Sequence, residues 1–103
     1  MGDRNNVKIT YRTGDSVYLY SHWTGSDLAD IVRDALQDSG RVNDESYFAR
    51  VIFSRMVKDD IEGETGYGIA PYAPDQDASN RMVHIDYTTG EGVGPQIDWE
   101  YQE

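Results

Sequence analysis

The sequence predicts an α+β domain: a mostly antiparallel sheet with two helices packed on one face, in the order ββααβββ. Two observations carry the prediction. Apolar and polar residues alternate in several short stretches, the period of strands with unlike faces. Between them lie two longer stretches with apolar residues spaced three and four apart, the period of helices. At 103 residues the chain reads as one domain, 1–103, with no internal repeat and no low-complexity segment.

The elements run in order along the chain. Val7, Ile9 and Tyr11 alternate with Lys8, Thr10 and Arg12, which makes the opening stretch a half-buried strand. Thr13-Gly14-Asp15 is a short turn in which glycine supplies the positive φ, so the chain returns as a hairpin. In the return strand Val17, Leu19 and Trp23 alternate with Tyr18, Tyr20 and His22, and Thr24-Gly25-Ser26 ends it and caps the helix after it. Leu28, Ile31, Val32, Ala35 and Leu36 then form the stripe of an amphipathic helix. Asp27 and Asp30 suit its first turn, and Gly40 is placed to close it.

A second helix is predicted over about Asp44 to Lys58. Apolar residues cover most of its circumference, as in a central helix held between the sheet and another surface. Tyr47, Arg50, Ser54 and Lys58 form its one polar edge. Arg55 lies apart from that row, where it needs a carboxylate, a carbonyl or a ligand phosphate. Gly66-Tyr67-Gly68-Ile69 starts a strand with a bulge or tight bend, and Pro71 to Asn80 is a loop. Val83, Ile85 and Tyr87 mark the next strand, Thr88 to Pro95 turns the chain, and Ile97, Trp99 and Tyr101 mark the last.

Charge narrows the functions. The net charge is -10, which disfavours direct binding to nucleic acid or to an anionic membrane. Residues 1–58 balance eight basic side chains against eight acidic ones, so the whole excess lies beyond them. Such a stretch is either a solvated surface or a face aimed at a basic partner. The absence of cysteine excludes disulfides and thiolate chemistry and suits a reducing compartment. No apolar run approaches the ~20 residues that span a bilayer, and Met1 to Asn6 is polar, so no membrane or targeting segment is expected.

Catalytic signals are incomplete. His22-Trp23-Thr24 has the His-x-Thr form that pairs across a phosphodiester as general acid and base, but the second such element would be His84-Ile85-Asp86, which lacks the hydroxyl. There is no nucleophile elbow and no phosphate loop. Asp75-x-Asp77-x-Ser79 imitates the start of a calcium loop but has Asn80 where glycine should come next. Asp59, Asp60, Glu62 and Glu64 suit a solvated link better than a metal site. A non-enzymatic chain is expected, with no cofactor and no metal.

Binding is the stronger expectation. Tyr18, Tyr20, His22, Trp23, Tyr47 and Tyr67 offer ring faces for stacking, and Arg50 and Arg55 offer guanidinium forks for phosphate or carboxylate. Together they suit a nucleotide-sized ligand if they converge on one cavity. Taken singly, each has a plainer role: Trp23 and Tyr47 as core fillers, His22 as a hydrogen-bonded strand residue, Arg50 paired with an acid.

Several ordered motifs carry a resemblance. Val7-Lys8-Ile9-Thr10, Val17-Tyr18-Leu19-Tyr20-Ser21-His22-Trp23-x-Gly25, Ser46-Tyr47-x-x-Arg50-Val51-Ile52-Phe53-x-x-Met56-Val57-x-Asp59-Asp60 and Glu64-Thr65-Gly66-Tyr67-Gly68-Ile69 together resemble a family of small, mostly uncharacterised proteins encoded by bacteriophages and mobile elements. The resemblance spans about residues 5–88. It implies an accessory protein acting in the cytoplasm of a bacterial host, and it implies no reaction. The expected function is therefore sequestration of a small nucleotide-type signal of host antiviral defence, by a homo-oligomer whose protomers close the pocket together. The alternatives are an acidic inhibitor that docks on a basic, nucleic-acid-binding host protein, and a phosphodiesterase using His22.

Overall fold

The computed structural model describes residues 4–73, 82–88 and 94–102. The strands are β1 (Asn5–Thr10), β2 (Ser16–Ser21), β3 (Tyr67–Ala70), β4 (Met82–Asp86) and β5 (Gln96–Tyr101), and the helices are α1 (Leu28–Asp38) and α2 (Glu45–Met56). They build an α+β fold with one five-stranded sheet in the order β3-β2-β1-β4-β5. Every pairing is antiparallel except β1 with β4. That parallel pair closes the centre of the sheet by setting Val7 beside Val83 and Ile9 beside Ile85.

The β1–β2 hairpin forms as its turn chemistry dictates. Gly14 has φ +94°, and the turn is closed by Gly14 N–H donating to Tyr11 O at 2.8 Å and Tyr11 N–H donating to Asp15 O at 2.8 Å. Strand β2 ends at Ser21, two residues before the alternation does. The buried Ser21 hydroxyl accepts the Thr24 N–H at 2.9 Å, which closes a turn over His22 and Trp23, and a 3₁₀ turn over Gly25–Asp27 leads into α1.

One sheet face carries both helices. Val7, Ile9, Leu19, Val83, Ile85 and Tyr87 pack against Leu28, Val32 and Ala35 of α1 and Phe48, Ala49, Ile52 and Met56 of α2. Tyr87, at the end of β4, is buried and donates its hydroxyl to the carbonyl of Val42 in the α1–α2 turn, while burial pushes that hydroxyl's pKa up. Among the described residues the other sheet face carries no helix. There Tyr18, Ala73 and Met82 form a second small buried cluster with Tyr101 at its side.

Two further details differ from the sequence expectation. Gly40 does not close α1 in a left-handed conformation, because the chain leaves through an extended Ser39 whose N–H donates to Ala35 O. Helix α2 is buried on one side only: Tyr47, Arg50 and Ser54 are exposed and Val51 and Phe53 half-buried. Its N-terminus is capped by Asp44, whose side chain accepts the Tyr47 N–H. Asp75, Asp77, Ser79 and Asn80 lie outside the described residues, as does most of the predicted Thr88 to Pro95 turn. Among the described residues no helix is long and apolar enough to cross a membrane.

Candidate functional site

The outward side of α2 carries a chemically well-defined cavity. The helical spacing of Tyr47, Arg50, Val51, Ser54 and Arg55 puts them along one side of α2, and the α1–α2 turn brings Arg41 over it. Together they line an open cavity of about 520 Å³. Three guanidinium groups therefore share one concavity in a chain of net charge -10. That concentration runs against the bulk charge of the molecule.

Each arginine is held differently. Arg41 stands over the Tyr47 ring, 5.5 Å from its centroid, and Tyr47 is 56% exposed rather than a core filler. Arg55 reaches Asp38 on α1 at 3.4 Å, which supplies the carboxylate its position demands. Arg50 is exposed and makes no hydrogen bond or ion pair among the described residues, so the acid expected to pair with it is not there. A free fork beside an anchored one, with an exposed ring and the Ser54 hydroxyl between two helical turns, can grip an anion and stack a flat group.

A second cavity, also about 520 Å³, lies between the helices and the end of β2 and joins Arg55 to Tyr67. Arg55 and Lys58 line it, but so do Asp27, Asp34 and Asp59. With carboxylates outnumbering cations, it is the poorer of the two for an anion.

The remaining predicted residues sit at the β2–β3 end. Tyr20, His22, Trp23 and Tyr67 form a chain of edge-on rings with centroid separations of 6.4, 5.5 and 6.1 Å. Tyr20 and His22 are joined by a hydrogen bond between the Tyr20 hydroxyl and His22 Nδ1 at 3.1 Å. The His22 N–H donates to Gly66 O at 2.8 Å, which extends the β2–β3 ladder by one pair. Tyr18 is buried on the helix-free sheet face beneath the Lys8 ammonium, 5.5 Å from its ring centroid. The eight predicted residues thus divide. Tyr47, Arg50 and Arg55 share one cavity, Tyr67 meets Arg55 in the next, and Tyr18 and Tyr20 belong to the other side of the sheet. The single pocket expected from the sequence does not form, because strand alternation sends residues 18 and 20 away from the helices.

Two features lay outside the sequence reading. Arg41 joins the site only through the α1–α2 turn, for which no spacing in the sequence gives a signal. On the helix-free face His84 Nε2 lies 2.7 Å from Thr10 Oγ1, which lies 2.9 Å from Ser16 Oγ, and the His84 and Tyr101 rings are 4.4 Å apart. Burial pushes the neighbouring Asp86 carboxyl up, but hydrogen bonds from the side chain and backbone of Thr88, with the charges of His84 and Lys8, outweigh it and hold that carboxyl below its ordinary range. The parity of Lys8, Tyr18 and His84 on their strands was the one clue to this group.

The two histidines are not partners. His84 is in register with Lys8 and Lys8 with Tyr18, four residues from His22 along the next strand. The offset is ~13 Å along the strands and ~10 Å across them, too far for both rings to flank one phosphodiester. Among the described residues no three His, Cys, Asp or Glu side chains gather as a metal site requires, Asp59, Asp60, Glu62 and Glu64 included. Comparison with protein-family models, with curated proteins and with solved structures found no match to this chain.

Proposed function

We propose that the chain is a non-enzymatic, phage-encoded accessory protein that binds and sequesters a phosphorylated, ring-bearing small molecule of nucleotide type in the host cytoplasm, withholding it from antiviral defence. The observation that carries the reading is the cavity on α2, which Arg41, Arg50 and Arg55 line together with the exposed Tyr47 ring. Guanidinium forks match phosphate geometry, and a tyrosine face accepts a base. Arg50, unpaired among the described residues, and Arg55, held by Asp38, give the phosphate two donors, and Val51 gives the ring an apolar floor.

A thermal-shift screen against linear and cyclic nucleotides, repeated by calorimetry for each hit, tests this. A ligand present at a hundred times its Kd stabilises the fold by about 2.7 kcal/mol. Absence of any shift in a folded sample refutes the reading, and binding that is indifferent to loss of Arg50 refutes the site.

A second reading rests on a different observation: Asp59, Glu62 and Glu64 are all exposed on the link between α2 and β3. An acidic inhibitor docking on a basic host protein would use them. Its association would slow steeply with added salt, whereas a desolvated ligand contact would respond less.

A further inference from the structure

The sheet has two edges, and they are built differently. At one edge β5 presents Asp98 and Glu100, both exposed, which is how natural sheets discourage pairing with another chain. At the other, β3 reads Tyr67-Gly68-Ile69-Ala70, within a run from Thr65 to Ala73 that holds no charged residue. Ile69 is 60% exposed, Tyr72 just beyond it 63%, and Trp23, packed on Gly66 at the start of the strand, 52%. The β3 edge has none of the charges that guard the β5 edge.

The backbone fixes what can cover it. Gly66 directs its carbonyl to β2, where it accepts from His22, and polar groups in an antiparallel ladder alternate sides. Gly68 and Ala70, opposite Tyr20 and Tyr18, therefore also turn their N–H and C=O groups to β2, while Tyr67 and Ile69 turn theirs outward. Those outward groups are complemented by an extended strand.

We propose that β3 is a homodimerisation edge, along which two copies of this chain pair antiparallel about Gly68, with Tyr67 opposite the partner's Ile69, to make one ten-stranded sheet. Charge selects the second copy as the occupant. Two molecules of net charge -10 approach best where neither carries a carboxylate, and β5 against β5 would set acid beside acid. A basic partner has nothing to pair with on β3 itself. The register centred on Gly68 uses only strand residues and joins both outward-facing pairs, whereas one centred on Ile69 would bring Pro71, which has no N–H, into the ladder. It also sets an aromatic against a β-branched side chain on the helix-bearing face, covering Ile69. The proposal is independent of the ligand reading, and its test needs no ligand.

Light scattering after size exclusion is expected to give twice the 11.7 kDa chain mass. Ile69→Pro removes one outward N–H without touching the β2 ladder, and Ile69→Lys adds like charge at the seam; each should halve the mass while leaving far-UV circular dichroism unchanged. Gly68→Cys supplies an independent readout in a chain without cysteine. A Cβ at residue 68 meets nothing within 4 Å, and the two copies of residue 68 would form a non-hydrogen-bonded pair with Cα atoms about 4.5 Å apart, within disulfide reach. Mild oxidation should link G68C quantitatively and leave Thr13→Cys, in the hairpin turn, unlinked. A wild-type monomer at the highest attainable concentration, a dimer unaffected by both Ile69 variants, or equal linking of G68C and T13C overturns the proposal.

Discussion

The Trp23 ring covers the α-carbon of Gly66 so closely that a Cβ there would fall within the ring's own atoms. Gly66 also has φ +92°, a conformation that side chains strain to adopt. The bend after β2 and the entry to β3 are thus fitted to each other through one glycine and one indole.

Gly66→Ala should destabilise the fold by about 2–3 kcal/mol, combining strain at positive φ with overpacking against the ring. Trp23→Ala removes the obstacle, so the double variant should lose less than the two single losses added together. Urea denaturation of the four proteins measures the coupling. Strict additivity would show that the ring does not press on residue 66.

Arg50 is expected to separate binding from stability. Because Arg50 is exposed and has no partner among the described residues, Arg50→Ala should change stability by no more than about 0.5 kcal/mol. Loss of one charge-assisted fork should weaken ligand binding about tenfold to a hundredfold. Arg50→Lys keeps the charge without the fork and should recover only part of the affinity. Calorimetry with whichever nucleotide the screen selects reads both effects.

The Tyr87 hydroxyl gives stability an alkaline limit. Burial raises its pKa in the fold above the ordinary value of 10.0, and Tyr11 is raised in the same direction by burial and by Glu45. Above pH 10 the unfolded chain releases these protons while the native state holds them, so the native state binds more protons and stability falls as pH rises. The contribution is complete below pH 10 and is lost upward from there, at up to about 1.4 kcal/mol per pH unit for each group. Tyr87→Phe should flatten that decline in denaturation series between neutral and alkaline pH, while losing about 1 kcal/mol at neutral pH with the Val42 hydrogen bond.

Glu45 ties the hairpin to α2. Its carboxylate accepts the Arg12 N–H at 2.8 Å and lies 3.8 Å from the Arg12 guanidinium. Glu45→Ala should cost about 1 kcal/mol, chiefly by stranding a backbone donor, and Glu45→Gln should recover most of it because the amide oxygen still accepts. Equal losses in the two variants, measured by chemical denaturation, would place the effect in charge instead.

Periodicity made both helices, the hairpin and the strand order along the chain legible, because each rests on contacts between near neighbours in sequence. It also placed Tyr47 and Arg50 on one helix edge, a relation any fold that keeps the helix retains, whereas Arg55, read as lying apart from that row, lines the same cavity. Other relationships depend on tertiary placement. The parallel pairing of β1 with β4 leaves no local mark, and neither does the arrival of Arg41 beside Tyr47. The early end of β2 is set by one hydroxyl, that of Ser21, which overrides an alternation continuing through Trp23. Trp23 itself, placed by alternation with Val17 and Leu19 and open to two roles, a stacking ring or a core filler, is half exposed and packs on Gly66, just before β3.

The pairing of Val7 with Val83 has a consequence for how this molecule is made. During synthesis the first two strands and both helices leave the ribosome well before the segment that fills the gap beside β1. Until then that strand offers an open flank, and productive closure must wait for a contact between distant parts of the chain. Nascent fragments ending before residue 82 are therefore the species that chaperones and proteases should meet, and protease protection should rise abruptly once β4 has emerged.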